Sequence, residues 1–246
     1  MGTATFRIWR GNDNKGEFRD YTTEVFPGMV VLDAVHLIQA EQANDLAVRW
    51  NCKAGKCGSC SAEINGNPRL MCMTRLNSLP LEQPIRIEPM RAFRHIKDLV
   101  TDVSWNYRVK KTIQKFQPRP PDAADGTWRM QQEDVDRVQE FRRCIECYLC
   151  QDVCHVLREH GLHEQFIGPR FLTYTAALEM HPLDSARRTG DLKNKQGIGY
   201  CNITKCCTKV CPEEIQITDN AIIPLKERVV DDYFDPVRKL FRVFRK

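Results

Sequence analysis

The chain has 246 residues, twelve of them cysteine, and a formal net charge of +5. That length leaves room for two domains with modest cores. So mild a charge reads as an ordinary solvated surface, not as a field built for nucleic acid. No apolar run is long enough to span a bilayer. Met1-Gly2-Thr3-Ala4-Thr5-Phe6-Arg7 lacks the apolar core of a signal peptide, and Phe6 breaks the myristoylation pattern. The expectation is a chain soluble by itself in a reducing compartment, where thiolates remain free to take iron and sulfide.

In chain order, Thr5-Phe6-Arg7-Ile8-Trp9-Arg10 predicts a strand, Gly11-Asn12-Asp13-Asn14 a turn, and residues 18–25 a second strand. Residues 29–42 read as a helix with Val31, Val35 and Ile38 on one face. Short strands follow at 61–64 and 85–87, the first closed by a turn at Asn65-Gly66. The texture changes near Trp105. Residues 115–126 are rich in Pro, Ala and charge and predict a surface loop. Helices are predicted at 127–143 with Thr127 as cap, at 171–180, and at 220–232, the last interrupted or kinked at Pro224. The tail Lys239-Leu240-Phe241-Arg242-Val243-Phe244-Arg245-Lys246 mixes cations with apolar residues, a texture that suits lipid headgroups, a membrane subunit or a frayed end.

The cysteines fall in three groups. Cys52-x4-Cys57-x2-Cys60 with a return at Cys72 is the plant-type [2Fe–2S] spacing. Gly55 and Gly58 suit a loop that wraps a compact anion with unusual φ values, and Lys53 and Lys56 add positive charge. Four cysteines also suit zinc, but zinc sites favour two separated C-x2-C knuckles. Plant-type clusters sit near about −400 mV. Hydrogen bonds from Ser59 or Ser61 to sulfur are one lever for raising that value.

Cys144-x2-Cys147-x2-Cys150-x3-Cys154 is a bacterial ferredoxin run without its proline; Cys201-x5-Cys207-x3-Cys211-Pro212 is a degenerate copy that keeps it. In such pairs the fourth cysteine of each run crosses to the other cluster. One set is then Cys144, Cys147, Cys150 and Cys211, four thiolates for a [4Fe–4S] cluster. The other is Cys154, Cys201 and Cys207, with Thr204 where a fourth cysteine belongs, and three thiolates imply a [3Fe–4S] cluster. Cys206 is out of register and is expected to point elsewhere as a small apolar residue, the alternative being that its loop rearranges and it supplies a fourth ligand.

This order of motifs resembles the iron–sulfur subunit of succinate dehydrogenase and fumarate reductase. Non-cysteine stretches carry the likeness too: residues 51–60, Ile87-Glu88-Pro89-Met90 with Ile96-Lys97-Asp98-Leu99-Val100, Phe166-Ile167-Gly168-Pro169 and Asp184-Ser185-Ala186-Arg187. The resemblance implies an α+β chain, with an N-terminal β-grasp plant-type ferredoxin domain (1–105) followed by an all-α dicluster bacterial-ferredoxin-like domain (106–246). It implies electron relay from the FAD of a succinate-oxidising flavoprotein subunit through [2Fe–2S], [4Fe–4S] and [3Fe–4S] clusters, or the reverse flow of a fumarate reductase. It also implies a membrane anchor subunit, indirect contact with the quinone pool, and a peripheral place on the cytoplasmic face of a bacterial plasma membrane. No catalytic residue is expected in this chain.

Three positions depart from the family pattern. His155 stands where proline is common, Glu159 where tryptophan is, and Asn202 where histidine is. Those residues line the usual quinone pocket, so the expectation is a quinone site built differently, or a further redox centre in the membrane partner. His155 lacks the second histidine that a Rieske-type centre needs. Trp9, Trp50, Trp105 and Trp128 are expected to be packing residues, His36 and His181 core or surface residues, and Arg142-Arg143 a solvated helix end. A zinc-binding nucleic-acid module is the rival reading, disfavoured by the long return to Cys72 and the lack of a groove-reading helix.

Overall fold

The computed structural model describes residues 2–13 and 15–236. The tail 239–246 and the turn residue Asn14 lie outside these described residues. The N-terminal part contains β1 (Gly2–Asn12), β2 (Lys15–Val25), α1 (Val31–Glu41), β3 (Ser61–Ile64), β4 (Asn67–Leu70), β5 (Ile85–Glu88), β6 (Arg94–Lys97) and β7 (Val100–Asp102). β1 pairs antiparallel with β2 along its length and parallel with β5, which continues to β3 and β4. This mixed sheet with α1 across it is a β-grasp. Ala4, Phe6, Ile8 and Arg10 are buried at alternate positions of β1, as a half-buried strand requires. Val31, Leu32, Ala34, Val35 and Ile38 close the core from α1. The β3–β4 hairpin turns at Asn65 (φ 49°) and Gly66 (φ 76°), the left-handed pair that a two-residue turn demands.

The second part is helical: α2 (Ser104–Thr112), α3 (Gln132–Gln139), α4 (Leu149–Asp152), α5 (His155–Arg158), α6 (Gly168–Glu179), α7 (Thr189–Asn194), α8 (Cys206–Lys209) and α9 (Ile223–Tyr233). Beyond residue 103 the described residues form no strand, only an isolated bridge between Pro118 and Asp184. One sequence expectation needs correction. Thr127 caps nothing: it hydrogen-bonds Asp125 in a loop, and the helix starts after Gln131. The interruption expected at Pro224 takes the form of a change of winding: a π-wound turn (Ile217–Ile222) runs directly into α9, whose first turn holds Pro224. The loop 115–126 runs over the surface as expected. Its start is tethered by the fully buried Arg188, which donates to the carbonyls of Gln114 and Lys115 (2.9 Å each) and to Asp184 Oδ2 (2.7 Å).

The two parts share their cores. Cys147 and Leu149 of the helical part pack in the β-grasp core, while Met90, Ala92, Phe93 and Val103 pack in the helical core. Charges seal the seam. Glu63 on β3 is fully buried between Arg91 (3.1 Å) and Arg158 (2.9 Å). Asp152 accepts from the Ala92 amide (2.9 Å). Burial pushes the Asp152 carboxyl well above the usual carboxylate range, helped by the neighbouring Glu63. Leu149, 1% exposed, is the apolar pin of this seam. Leu149→Ala is expected to destabilise the chain by about 3 kcal/mol, measured by denaturant unfolding.

Candidate iron–sulfur sites

The structure brings the first four predicted cysteines together. Cys57 lies beside Cys52, and Cys60 beside Cys72 and in the field of Cys57. The amides of Ala54 and Lys56 donate to Cys52 Sγ (3.4 and 3.3 Å), and that of Ser59 to Cys57 Sγ (3.5 Å). Burial pushes Cys60 up to about 12; Cys57, against its burial, is brought down to about 7 by bonds from Ser59 and Cys52. Ser61 does not serve sulfur. Its hydroxyl bonds the carbonyls of Gly58 (2.9 Å) and Cys147 (2.8 Å), stitching the first loop to the second. Gly58, at φ +68°, sits so close that an added Cβ would lie 2.4 Å from Cys147 Cα. Lys53 pairs with Asp33 (2.9 Å), and Lys56 crosses to Glu213 of the helical part (3.2 Å).

The second set, Cys144, Cys147, Cys150 and Cys211, lines one cavity together with Arg170 and Thr173. The third set, Cys154, Cys201 and Cys207, lines another. The loops that carry them are copies of one another. Glu146 and Tyr148 adopt φ of 54° and 63°, and Ile203 and Lys205 both adopt 61°, at matching places between the cysteines. Each left-handed pair leads into a short helix, α4 or α8. Such conformations cost a side-chain-bearing residue about 1 kcal/mol or more, and they persist where a site imposes them. In this register Thr204 stands at the place of Cys147, as the spacing predicts, and Cys206 at the place of Leu149.

Cys206 corrects the expectation that it points away. It lines the third cavity, its Sγ 3.3 Å from Thr204 Oγ1. Leu149 finds an apolar core across the seam, whereas the same position in α8 has a half-buried cavity rim. His155 also lines this cavity beside Cys206 and helps hold its thiol below the usual range. Asn202 lines the same cavity, and Glu159 pairs with Arg158 at 3.3 Å. Arg143 and Arg142 are exposed, Arg143 loosely paired with Glu140, so they form a solvated end. Trp105 packs in the helical core, but Trp50 and Trp128 are exposed, contrary to expectation. Sequence reasoning missed Arg170, because a lone arginine after Gly168-Pro169 carries no pattern.

The donor sets fit iron–sulfur cages. They are thiols ringing a space, with backbone wrapped in left-handed turns and, at the first loop, amides aimed at sulfur. Fold and site together define a two-part ferredoxin-type electron-transfer protein. Residues 5–107 match a family model described as a 2Fe-2S iron-sulfur cluster binding domain, and residues 140–215 one described as a 4Fe-4S dicluster domain. The fumarate reductase iron-sulfur subunit of Mycobacterium tuberculosis is 31% identical over 80% of this chain and 80% of its own length. A subunit of the CoM/CoB fumarate reductase of Methanothermobacter marburgensis is 30% identical over 92% of this chain but 44% of its own length. A chain from a structure titled Mycobacterium smegmatis Sdh1 complex in the apo form superposes with a TM-score of 0.91 at 59% identity, covering 96% of this chain and 98% of that one. The protein therefore belongs to the iron–sulfur subunits of the succinate dehydrogenase and fumarate reductase family.

Gly58→Ala is expected to drive the two loops apart, because the added methyl meets backbone and not a flexible side chain. The check is thermal unfolding, with a lowered midpoint that Ser61→Ala reproduces only in part.

Proposed function

We propose that this chain is the electron-relay subunit of a succinate-oxidising complex. It would take electrons from the FAD of a flavoprotein partner and deliver them toward the membrane. The carrying observation is three thiol sets in one interlocked body, the first loop in backbone contact with the second. Cys52, Cys57, Cys60 and Cys72 would hold [2Fe–2S]; Cys144, Cys147, Cys150 and Cys211, [4Fe–4S]; Cys154, Cys201 and Cys207, [3Fe–4S]. The bound clusters supply one-electron redox chemistry. The chain supplies ligands, amide dipoles and exclusion of water. The division into ligand-bearing domains falls near 105/106, at the start of α2.

Succinate oxidation is favoured over fumarate reduction by the 59% identity to a chain of a complex titled Sdh1, against 31% to a protein named for fumarate reductase. No helix among the described residues is long and apolar enough to cross a membrane. Attachment would come from an anchor subunit on the cytoplasmic face of the membrane. His155 and Asn202 stand at the third cavity and Glu159 just after α5, without the residues of the usual quinone pocket. This favours exit to a differently built quinone site or to a further redox centre in the anchor. Copurification with a flavoprotein, and activity assayed in both directions, tests the reading; purification with neither flavin nor iron would overturn it.

Two outcomes are expected of the clusters. Low-temperature EPR of the oxidised protein should show a [3Fe–4S] signal, lost in Cys201→Ser while the other two clusters persist. Reconstitution should strengthen as pH rises. Burial holds Cys147 at about 12 and Cys154 at about 11, and ligation needs thiolates, so each bound cysteine must release a proton. Iron uptake measured across a pH series checks the sign.

A further inference from the structure

Arg170 carries an observation that the cysteines do not explain. Its side chain is only 6% exposed, and its Nε is fully buried with no hydrogen-bond partner. Unpartnered buried donors are rare, and rarer still on a charged group. The same side chain lines the cavity ringed by Cys144, Cys147, Cys150 and Cys211.

The guanidinium is fixed from several sides. Nη2 donates to Glu146 Oε1 at 2.7 Å. The backbone amide of Arg170 donates to Gln151 Oε1 (3.2 Å), and Gln151 Nε2 donates to the Ile167 carbonyl (3.0 Å). This grip holds the N-terminal turn of α6. It requires glycine at 168, where φ is +79° and a Cβ would lie 2.1 Å from Gln151 Oε1. Glu146 also accepts from Lys110 Nζ (2.5 Å), so the group Arg170, Glu146 and Lys110 keeps one net positive charge beside the thiols. The third cavity is served differently: Lys205, on its lining, is turned to Asp219 at 2.8 Å.

Resting on the cluster assignment proposed above, we infer that Arg170 tunes the second cluster, its free Nε–H donating to a sulfur of the cage formed by Cys144, Cys147, Cys150 and Cys211. A hydrogen bond to sulfur and a desolvated positive charge both favour the reduced, more negative state of the cluster. Arg170 thereby raises the reduction potential of the middle carrier relative to the same ligands without it. It is a tuning residue and not a ligand.

The experiment is an EPR-monitored redox titration of the intact complex carrying Arg170→Leu or Arg170→Lys. The midpoint of the [4Fe–4S] cluster should fall in Arg170→Leu and fall less in Arg170→Lys, which keeps charge but not the planar fork. The [2Fe–2S] and [3Fe–4S] midpoints should stay in place. ENDOR of the reduced second cluster in D2O should show an exchangeable proton coupling in the wild type that Arg170→Leu lacks. If Arg170→Leu does not retain the cluster, the Arg170→Lys shift and its changed coupling decide. An unchanged second-cluster midpoint and coupling in the variants that retain it would overturn the inference while leaving the cluster assignment intact. A wild-type complex without a four-iron signal would overturn both.

Discussion

Everything in this molecule depends on two loops from different domains meeting backbone to backbone. Gly58 leaves no room for a side chain against Cys147, and the single Ser61 hydroxyl proton lies within donating reach of a carbonyl from each loop. Electron transfer weakens steeply with distance, so a relay needs its carriers held at a fixed, short separation. Here that separation is set by the protein interior. Leu149 in the neighbouring core, Glu63 between two arginines and Asp152 under the Ala92 amide all act on the same seam. A hinge between the domains would defeat the arrangement, and the shared cores leave no place for one.

The second constraint is the internal repeat. Two loops with the same left-handed positions lead into α4 and α8 and present thiols to two cavities. One copy kept its cysteine at 147, and the other has Thr204. On the cluster assignment proposed above, a repeated scaffold with unequal thiol sets is a simple way to place two carriers of different character in series. The surroundings diverge in the same way. Arg170 stands beside the second set, while Cys206 and His155 stand beside the third.

Much of this was legible in the sequence because metal ligation imposes spacing. The thiol sets, the unequal repeat and the Asn65-Gly66 hairpin each need particular residues at particular offsets. What stayed hidden depends on tertiary position. β4 carries Pro68, a residue that argues against a strand by itself but is tolerated here because β4 lies at the sheet edge. Ser61 looked like a donor to sulfur but faces two carbonyls. Cys206 looked turned away because it is out of register with the cysteine spacing; its repeat partner Leu149 does enter the neighbouring core, but among the described residues no second core covers α8. Arg170 left no trace, since its meaning comes from a cavity formed by residues far apart in the chain.

The most direct test of the central claim is crystallographic. Anomalous difference maps of the anaerobically purified complex, collected on both sides of the iron absorption edge, locate iron without reference to any spectrum. The account expects three iron peaks in a row, within the rings of Cys52, Cys57, Cys60 and Cys72, of Cys144, Cys147, Cys150 and Cys211, and of Cys154, Cys201 and Cys207. Peaks that persist only at the zinc edge, or a third ring without iron, would contradict it.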